Sequence, residues 1–181
     1  MLKNTSRSIH FIPLKTTHFP LLLKWINTDH VSRWWRDNRP WSLEDIIQKY
    51  STYCEGYKET GELKKPIHAF LIQIDSQPIG FIQYYNAHDF PREGGKLPPD
   101  LPKKLAALDL FIGEAEFIGK GLSTIILSTF LNDYIKPLFN ACFVDPDRDN
   151  KLAIRAYEKA GFQAIPSTAK AKVIWMVKTL S

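Results

Sequence analysis

Glu116-Phe117-Ile118-Gly119-Lys120-Gly121-Leu122-Ser123-Thr124 decides the reading of this chain. It stands between an apolar run, Leu108 to Ile112, and a helix-like run from Leu122 to Tyr134. Glycines at 119 and 121 let the backbone curl tightly, and the first amides of the following helix lack intrahelical partners, so they face whatever fills the turn. With the helix dipole behind them and Lys120 beside them, these amides suit a phosphate or pyrophosphate. The spacing is neither the Walker pattern, which needs Gly-Lys-Ser/Thr after a longer loop, nor the Gly-x-Gly-x-x-Gly dinucleotide fingerprint. Taken alone, the turn also fits a plain strand-to-helix connection.

Outward from the turn, the pattern alternates short apolar runs with amphipathic ones. Ser8 to Leu14 reads as a strand, and Phe19 to Ile26 as a helix with Leu21, Leu22, Trp25 and Ile26 on one face. His30 to Trp35 reads as a short helical turn, and Ser42 with Asp45 three residues on opens a further helix toward Tyr57. Gly61 to Pro66 reads as a polar loop. Ile67 to Ile74 and Ile79 to Tyr85 form a hairpin joined through Asp75 to Pro78. The stretch from Ala87 to Lys104 holds Pro91, Gly94, Gly95, Pro98, Pro99 and Pro102, which predicts a long surface loop, functional or a tolerated insertion. Leu105 to Gly113 is the next strand, and Pro137 stops the helix after the glycine turn. Ala141 to Val144 is a short strand, Asn150 caps a helix to Ala160 that Gly161 ends, and Val173 to Thr179 closes the chain. On that last helix Leu152, Ala153, Ala156, Tyr157 and Ala160 are expected on one face. The order predicts one domain over residues 1–181 of mixed α/β class.

Composition narrows the function classes. With 44% hydrophobic and 13% aromatic residues in 181, the chain can build a substantial core. The formal charge of +5 suits a polyanion, yet the 24 Lys and Arg are interleaved with 19 acids rather than blocked, which argues against a nucleic-acid partner. Cys54 and Cys142 have no partner spacing, and the five histidines form no ligand pair, so neither a disulfide framework nor a metal is expected. Met1 to Arg7 leads into the first strand without a long apolar segment, and no stretch approaches membrane-spanning length, which predicts a cytoplasmic protein without membrane contact.

The block Val144-Asp-Pro-Asp-Arg-Asp-Asn150-Lys-Leu-Ala-Ile-Arg-Ala-Tyr157-Glu-Lys-Ala-Gly-Phe162, placed after the glycine turn, resembles the second signature of the GNAT superfamily of N-acyltransferases. The turn itself is similar to that family's Gln/Arg-x-x-Gly-x-Gly/Ala signature, with Glu116 in place of the usual Gln or Arg. The resemblance implies a central mixed, mostly antiparallel sheet flanked by helices, and acetyl-CoA as donor. Within the superfamily the chain looks most like aminoglycoside 6'-N-acetyltransferases, through His30 to Trp35, Gln77 to Tyr85, Leu108 to Gly113 and Asp145-Pro146. That likeness implies a small-molecule amine acceptor, here a 6'-amine, and a monomer or homodimer. Acyltransferases of hydroxamate siderophore synthesis share several features but typically carry a His where this chain has Asp109. A non-catalytic acyl-CoA-binding or nucleic-acid-binding module is the alternative of a different class.

The chemistry then assigns expected roles. An ammonium must lose a proton before it attacks a thioester, and Asp109, an acid on an apolar strand, is the candidate base or anchor. An ordinary Asp near pKa 3.9 is a poor match for an amine near 10, which calls for burial or a water relay. By resemblance, Tyr157 approaches the coenzyme A sulfur as general acid, or else packs in the core. Asn150 touches the pantetheine or phosphate arm, or only caps its helix. Backbone amides near Phe111 and Ile112 are expected to polarise the carbonyl. The turn residues Phe117, Ile118, Gly119, Lys120, Gly121, Leu122, Ser123 and Thr124 complete the expected cofactor contacts. Trp34, Trp35, Gln83, Tyr85 and Asp109 are expected acceptor contacts, with one of the two tryptophans in the core; by resemblance Asp145 joins them, or else only starts a turn with Pro146.

Overall fold

A computed structural model describes residues 7–35, 38–167 and 171–181. Eight strands form one sheet in the order β1-β3-β4-β5-β6-β8-β7, with β2 on the flank of β3. They are β1 (Ile9–Pro13), β2 (Tyr57–Thr60), β3 (Leu63–Ile74), β4 (Gln77–Asn86), β5 (Leu105–Ile112), β6 (Ala141–Val144), β7 (Gln163–Ile165) and β8 (Trp175–Thr179). Five helices accompany them: α1 (Phe19–Ile26), α2 (Asp29–Trp35), α3 (Leu43–Cys54), α4 (Leu122–Phe130) and α5 (Lys151–Lys159). Every described pairing is antiparallel except β5 with β6, which the α4 crossover joins in parallel.

Local chemistry explains most boundaries. Ser42 and Asp45 form the reciprocal cap of α3, with the Ser42 amide donating to Asp45 Oδ2 (2.7 Å) and the Asp45 amide to Ser42 Oγ (3.3 Å). The Asn150 side chain accepts from the Ala153 amide (3.1 Å) and starts α5. The β3–β4 turn is tighter than expected. Asp75 and Ser76 both take positive φ (50° and 68°), a two-residue connection, so Gln77 and Pro78 already belong to the strand.

Three expectations are corrected. The supposed polar loop at 61–66 is a hairpin: Tyr57 pairs with Pro66 and Thr60 with Leu63, across Gly61 and Glu62. Its paired residues are exposed or half-buried throughout, so hydrophobic periodicity carries little signal there. The helix after the glycine turn is regular only to Phe130, and Leu131–Ile135 continue as a wider π-helical turn. Leu152, expected on the buried face of α5, is 67% exposed, and Ile154 packs inward instead.

Three apolar clusters pack on the sheet, one of them around Leu105, Phe143 and Trp175. On one face α4 and α5 cover Phe70, Ile82, Tyr84, Leu108, Phe130 and Tyr157. On the other, α1 to α3 cover Leu71, Phe81 and Phe111 with Trp25, Ile46 and Tyr50. Among the described residues no helix is long and apolar enough to cross a membrane.

The far end of β5 is held from the helical side. Gly113 donates its amide to the Ile79 carbonyl (2.7 Å), His30 Nε2 donates to the Ile112 carbonyl (3.1 Å), and Glu114 takes the Trp25 indole N–H (2.8 Å) and Lys24 Nζ (2.8 Å). A β-carbon at Gly113 would fall 2.2 Å from Cγ of the fully buried Trp25. Gly113→Ala is therefore expected to lower unfolding stability by about 1–3 kcal/mol, the usual range for overpacking, as read by urea denaturation.

Candidate active site

The ladder between β5 and β6 runs for three residue pairs, Leu105 with Ala141, Ala106 with Cys142 and Ala107 with Phe143. Beyond Ala107 the two strands part, while β5 stays paired with β4 as far as Ile112. A gap opens between them. Antiparallel pairs direct successive backbone groups to opposite sides. Because the Gly113 amide points to β4, those of Phe111 and Asp109 do the same, and those of Leu110 and Ile112 face the gap. Of the two amides expected to polarise a carbonyl, Ile112 has the right direction and Phe111 has not. Leu110, not singled out from the sequence, shares the orientation of Ile112. The Phe111 side chain lies in the α1–α3 core, stacked on Phe81 (5.6 Å between ring centroids) and edge-on to Trp35 (4.8 Å).

The strand leads into the glycine turn. Gly119 and Gly121 have φ of 74° and 72°, and a β-carbon at either would meet no atom within 4 Å. The N-terminus of α4 has no side-chain cap, and Glu116 and Lys120 are exposed. Lys120 Nζ stands over the Phe117 ring (5.8 Å), Ile118 is extended, Leu122 is buried, and Ser123 and Thr124 are half-buried. Open space over a positive-φ turn and uncapped amides is what a pyrophosphate requires. The residues present fit coenzyme A. Asn150, by contrast, uses its side-chain oxygen on the α5 cap.

Tyr157 points from α5 into the α4–α5 core, 7% exposed and edge-on to Phe162 (5.5 Å). Burial, and then the charges of Asp109 and Asp145, hold its phenol well above its ordinary value. On the opposite face Asp109 sits across from Gln83, whose Nε2 donates to Asp109 Oδ2 (2.9 Å). The Gln83 Oε1 atom is buried and has no partner among the described residues. Asp145, at the end of β6, faces the same region: burial, then the charge of Asp109, raise its carboxyl to about 6, against the opposing pull of Arg92.

Arg92 was not singled out from the sequence. Its guanidinium is only 6% exposed and reaches Tyr85 Oη (3.1 Å) and Asp145 Oδ2 (3.5 Å). It lies over the rings of Tyr85 (5.0 Å) and Phe143 (5.2 Å). The loop carrying it is tied down, since the Trp175 indole donates to the Glu93 carbonyl (3.0 Å) and His88 Nε2 to that of Pro102 (3.0 Å). A lone Arg in a Pro- and Gly-rich loop gives no periodic signal to find it by. Of the tryptophan pair, Trp35 packs inward and donates to Tyr50 Oη (3.1 Å), while Trp34 is 39% exposed.

Asp109 on β5 and Asp145 just after β6 thus face one region beside the end of the β5–β6 ladder, and the glycine turn follows β5 in the chain. A model of the acetyltransferase (GNAT) domain family matches residues 15–169. The chain belongs to the GNAT acetyltransferase family. Two of its relatives are the aminoglycoside N(6')-acetyltransferases type 1 of Klebsiella pneumoniae and Serratia marcescens. Each is 27% identical over 175 residues, spanning 92% of this chain and 81% of the relative. Among solved structures, the aminoglycoside acetyltransferase AAC(6')-Ib in complex with ribostamycin and coenzyme A superposes with a TM-score of 0.74 at 24% identity. That likeness spans 95% of this chain and 93% of that one. An aminoglycoside N(6')-acetyltransferase from Legionella pneumophila gives 0.67 at 21% identity, over 95% and 92%. The GNAT fold, with its mixed and mostly antiparallel sheet between helical layers, is thus shared.

The raised Asp145 carboxyl has a signed consequence. Between the unfolded value near 4 and the folded value, the folded state holds the extra proton at this site, so its contribution to stability falls as pH rises through about 4 to 6. The difference in unfolding free energy between the parent protein and Asp145→Asn is expected to shrink or reverse across that window, measured by denaturant titration at several pH values.

Proposed function

We propose that this GNAT protein is an acetyl-CoA-dependent N-acetyltransferase that modifies the 6'-amine of an aminoglycoside. The observation that carries the reading is the convergence of Asp109 and Asp145 on one region beside the end of the β5–β6 ladder, with the open glycine turn following β5 in the chain. The named relatives point to the same acceptor class.

The bound thioester supplies an activated acetyl group. The amides of Gly119 to Thr124 and the α4 dipole hold the pyrophosphate, and the gap-facing amides of Leu110 and Ile112 stand ready for negative charge on a carbonyl oxygen. Asp109, fixed by Gln83, holds the incoming ammonium and receives its proton directly or through water. Asp145, its charge met by Arg92, borders the acceptor side, and Tyr85 and Trp35 wall it. Trp34, on the exposed side of α2, meets only the outer part of an acceptor.

Tyr157 has a narrower role than general acid. A phenol raised above its ordinary value near 10 is weaker than a thiol near 8.5, so full proton transfer to a thiolate runs uphill. Its hydroxyl instead donates a hydrogen bond to the leaving sulfur. The acetyl donor is an intracellular metabolite, which places the reaction in the cytoplasm, and the reading needs no second subunit. Inactivating a drug in this way would confer resistance.

Thiol release from acetyl-CoA is expected with aminoglycosides that bear a free 6'-amine and not with those that lack it. Activity confined to hydroxylated lysine or ornithine derivatives would replace this reading with the siderophore one. Asp109→Asn is expected to lower kcat by about 10²-fold or more while coenzyme A binding, followed by calorimetry, stays nearly unchanged. Tyr157→Phe is expected to cost less, about tenfold, the worth of one hydrogen bond to a charged group.

A further inference from the structure

The acceptor side carries two sets of buried groups whose bonding needs are unmet. Arg92 spends Nη1 on Tyr85 and Asp145, while Nε and Nη2 are buried without partners among the described residues. These two nitrogens form one edge of the guanidinium, a fork that matches oxygen acceptors and repels a second cation. Gln83 Oε1, also buried and unpartnered, is a matching acceptor. A buried donor or acceptor left unpaired is costly, so these atoms are the ones a ligand rewards most.

Arg92 cannot easily swing away. Its guanidinium is stacked between two aromatic rings, and the next two residues are pinned: the Glu93 carbonyl by the Trp175 indole, and Gly94 close against Ala171 and Trp175. It also borders an open cavity of about 550 Å³ formed by loop residues 87–97. The acceptor side thus holds two carboxylates, Asp109 and Asp145, and one resident cation. Asp109 remains for the reacting ammonium, whereas the charge of Asp145 is already answered.

Resting on the aminoglycoside reading above, we propose that Arg92 is a specificity-determining residue. It selects acceptors that present an oxygen, rather than a second ammonium, on the ring bearing the reacting amine. A ring hydroxyl offers an oxygen lone pair that the Arg92 fork can bond. An ammonium at the same place has no lone pair for the fork and meets like charge.

The test uses two aminoglycosides that share the 6'-amine and differ only in a hydroxyl or an amine at the 2' carbon of the same ring. With the full chain and acetyl-CoA, kcat/KM is expected to favour the hydroxyl member. Arg92→Met is expected to move that ratio toward the amine member by about tenfold or more, the effect of removing one like-charge contact and one fork. Arg92→Lys, which keeps the cation and loses the fork, is expected to lose rate on the hydroxyl member while still disfavouring the amine. A merely structural role would lower both acceptors together and leave the ratio unchanged, and that result overturns the proposal. Arg92→Gln takes the place of Arg92→Met if thermal melting shows the latter unfolded. If the parent protein acetylates neither acceptor, the aminoglycoside reading falls and this inference falls with it. Turnover with an unmoved ratio sinks the inference alone.

Discussion

The backbone ladder between β5 and β6 ends after three residue pairs, and most of what this protein can do follows from that interruption. A sheet edge left open in the interior needs support from elsewhere, because unpaired strand backbone is otherwise free to fray or to pair wrongly. Here the support comes from α1 and α2. Trp25, Lys24 and His30 fasten the end of β5 by its carbonyl and by Glu114, and Gly113 has no β-carbon so that the Trp25 ring can lie flush against it. The strand stays paired with β4 past the point where its ladder to β6 stops, and the amides of Leu110 and Ile112 face that side.

The same interruption places charge. Asp109 is two residues beyond the last β5–β6 pair, and Asp145 is the first residue after β6, so the two carboxylates flank the opening from its two strands. Burial, and after it the charge of Asp109, raises the Asp145 carboxyl. Arg92 from the long loop opposes that rise. The loop's proline-rich course is fixed by Trp175 and His88.

How much of this was legible in the sequence depended on whether a signal was local. The Gly119–Gly121 turn, the Ser42–Asp45 cap, the Asn150 cap and the stop at Gly161 depend on neighbouring residues, and each stands where the pattern put it. Strand β2 was missed because Tyr57–Thr60 is polar and marginal, and β7 because three residues are too few for a period to appear. The carboxylates Asp109 and Asp145 could be named because acids beside apolar strands stand out. Arg92 could not, since only tertiary packing brings it between Tyr85 and Phe143. The direction of the Leu110 and Ile112 amides likewise depends on strand register, which side-chain chemistry does not encode.

The three-pair junction also divides the molecule as a folding problem. Strands β1 and β3 to β5 build a meander from sequence neighbours and one N-terminal return, whereas β6 to β8 form a second antiparallel group joined to it by few backbone bonds. What couples the two groups is chiefly the side-chain core under α4 and α5, where Phe11 from the first strand and Met176 from the last belong to one cluster. Cooperativity between the halves is therefore carried by packing more than by the ladder, and local opening has a natural boundary along the gap. A molecule seated there would bridge two folding units, so its binding energy would appear as cooperativity of the whole chain.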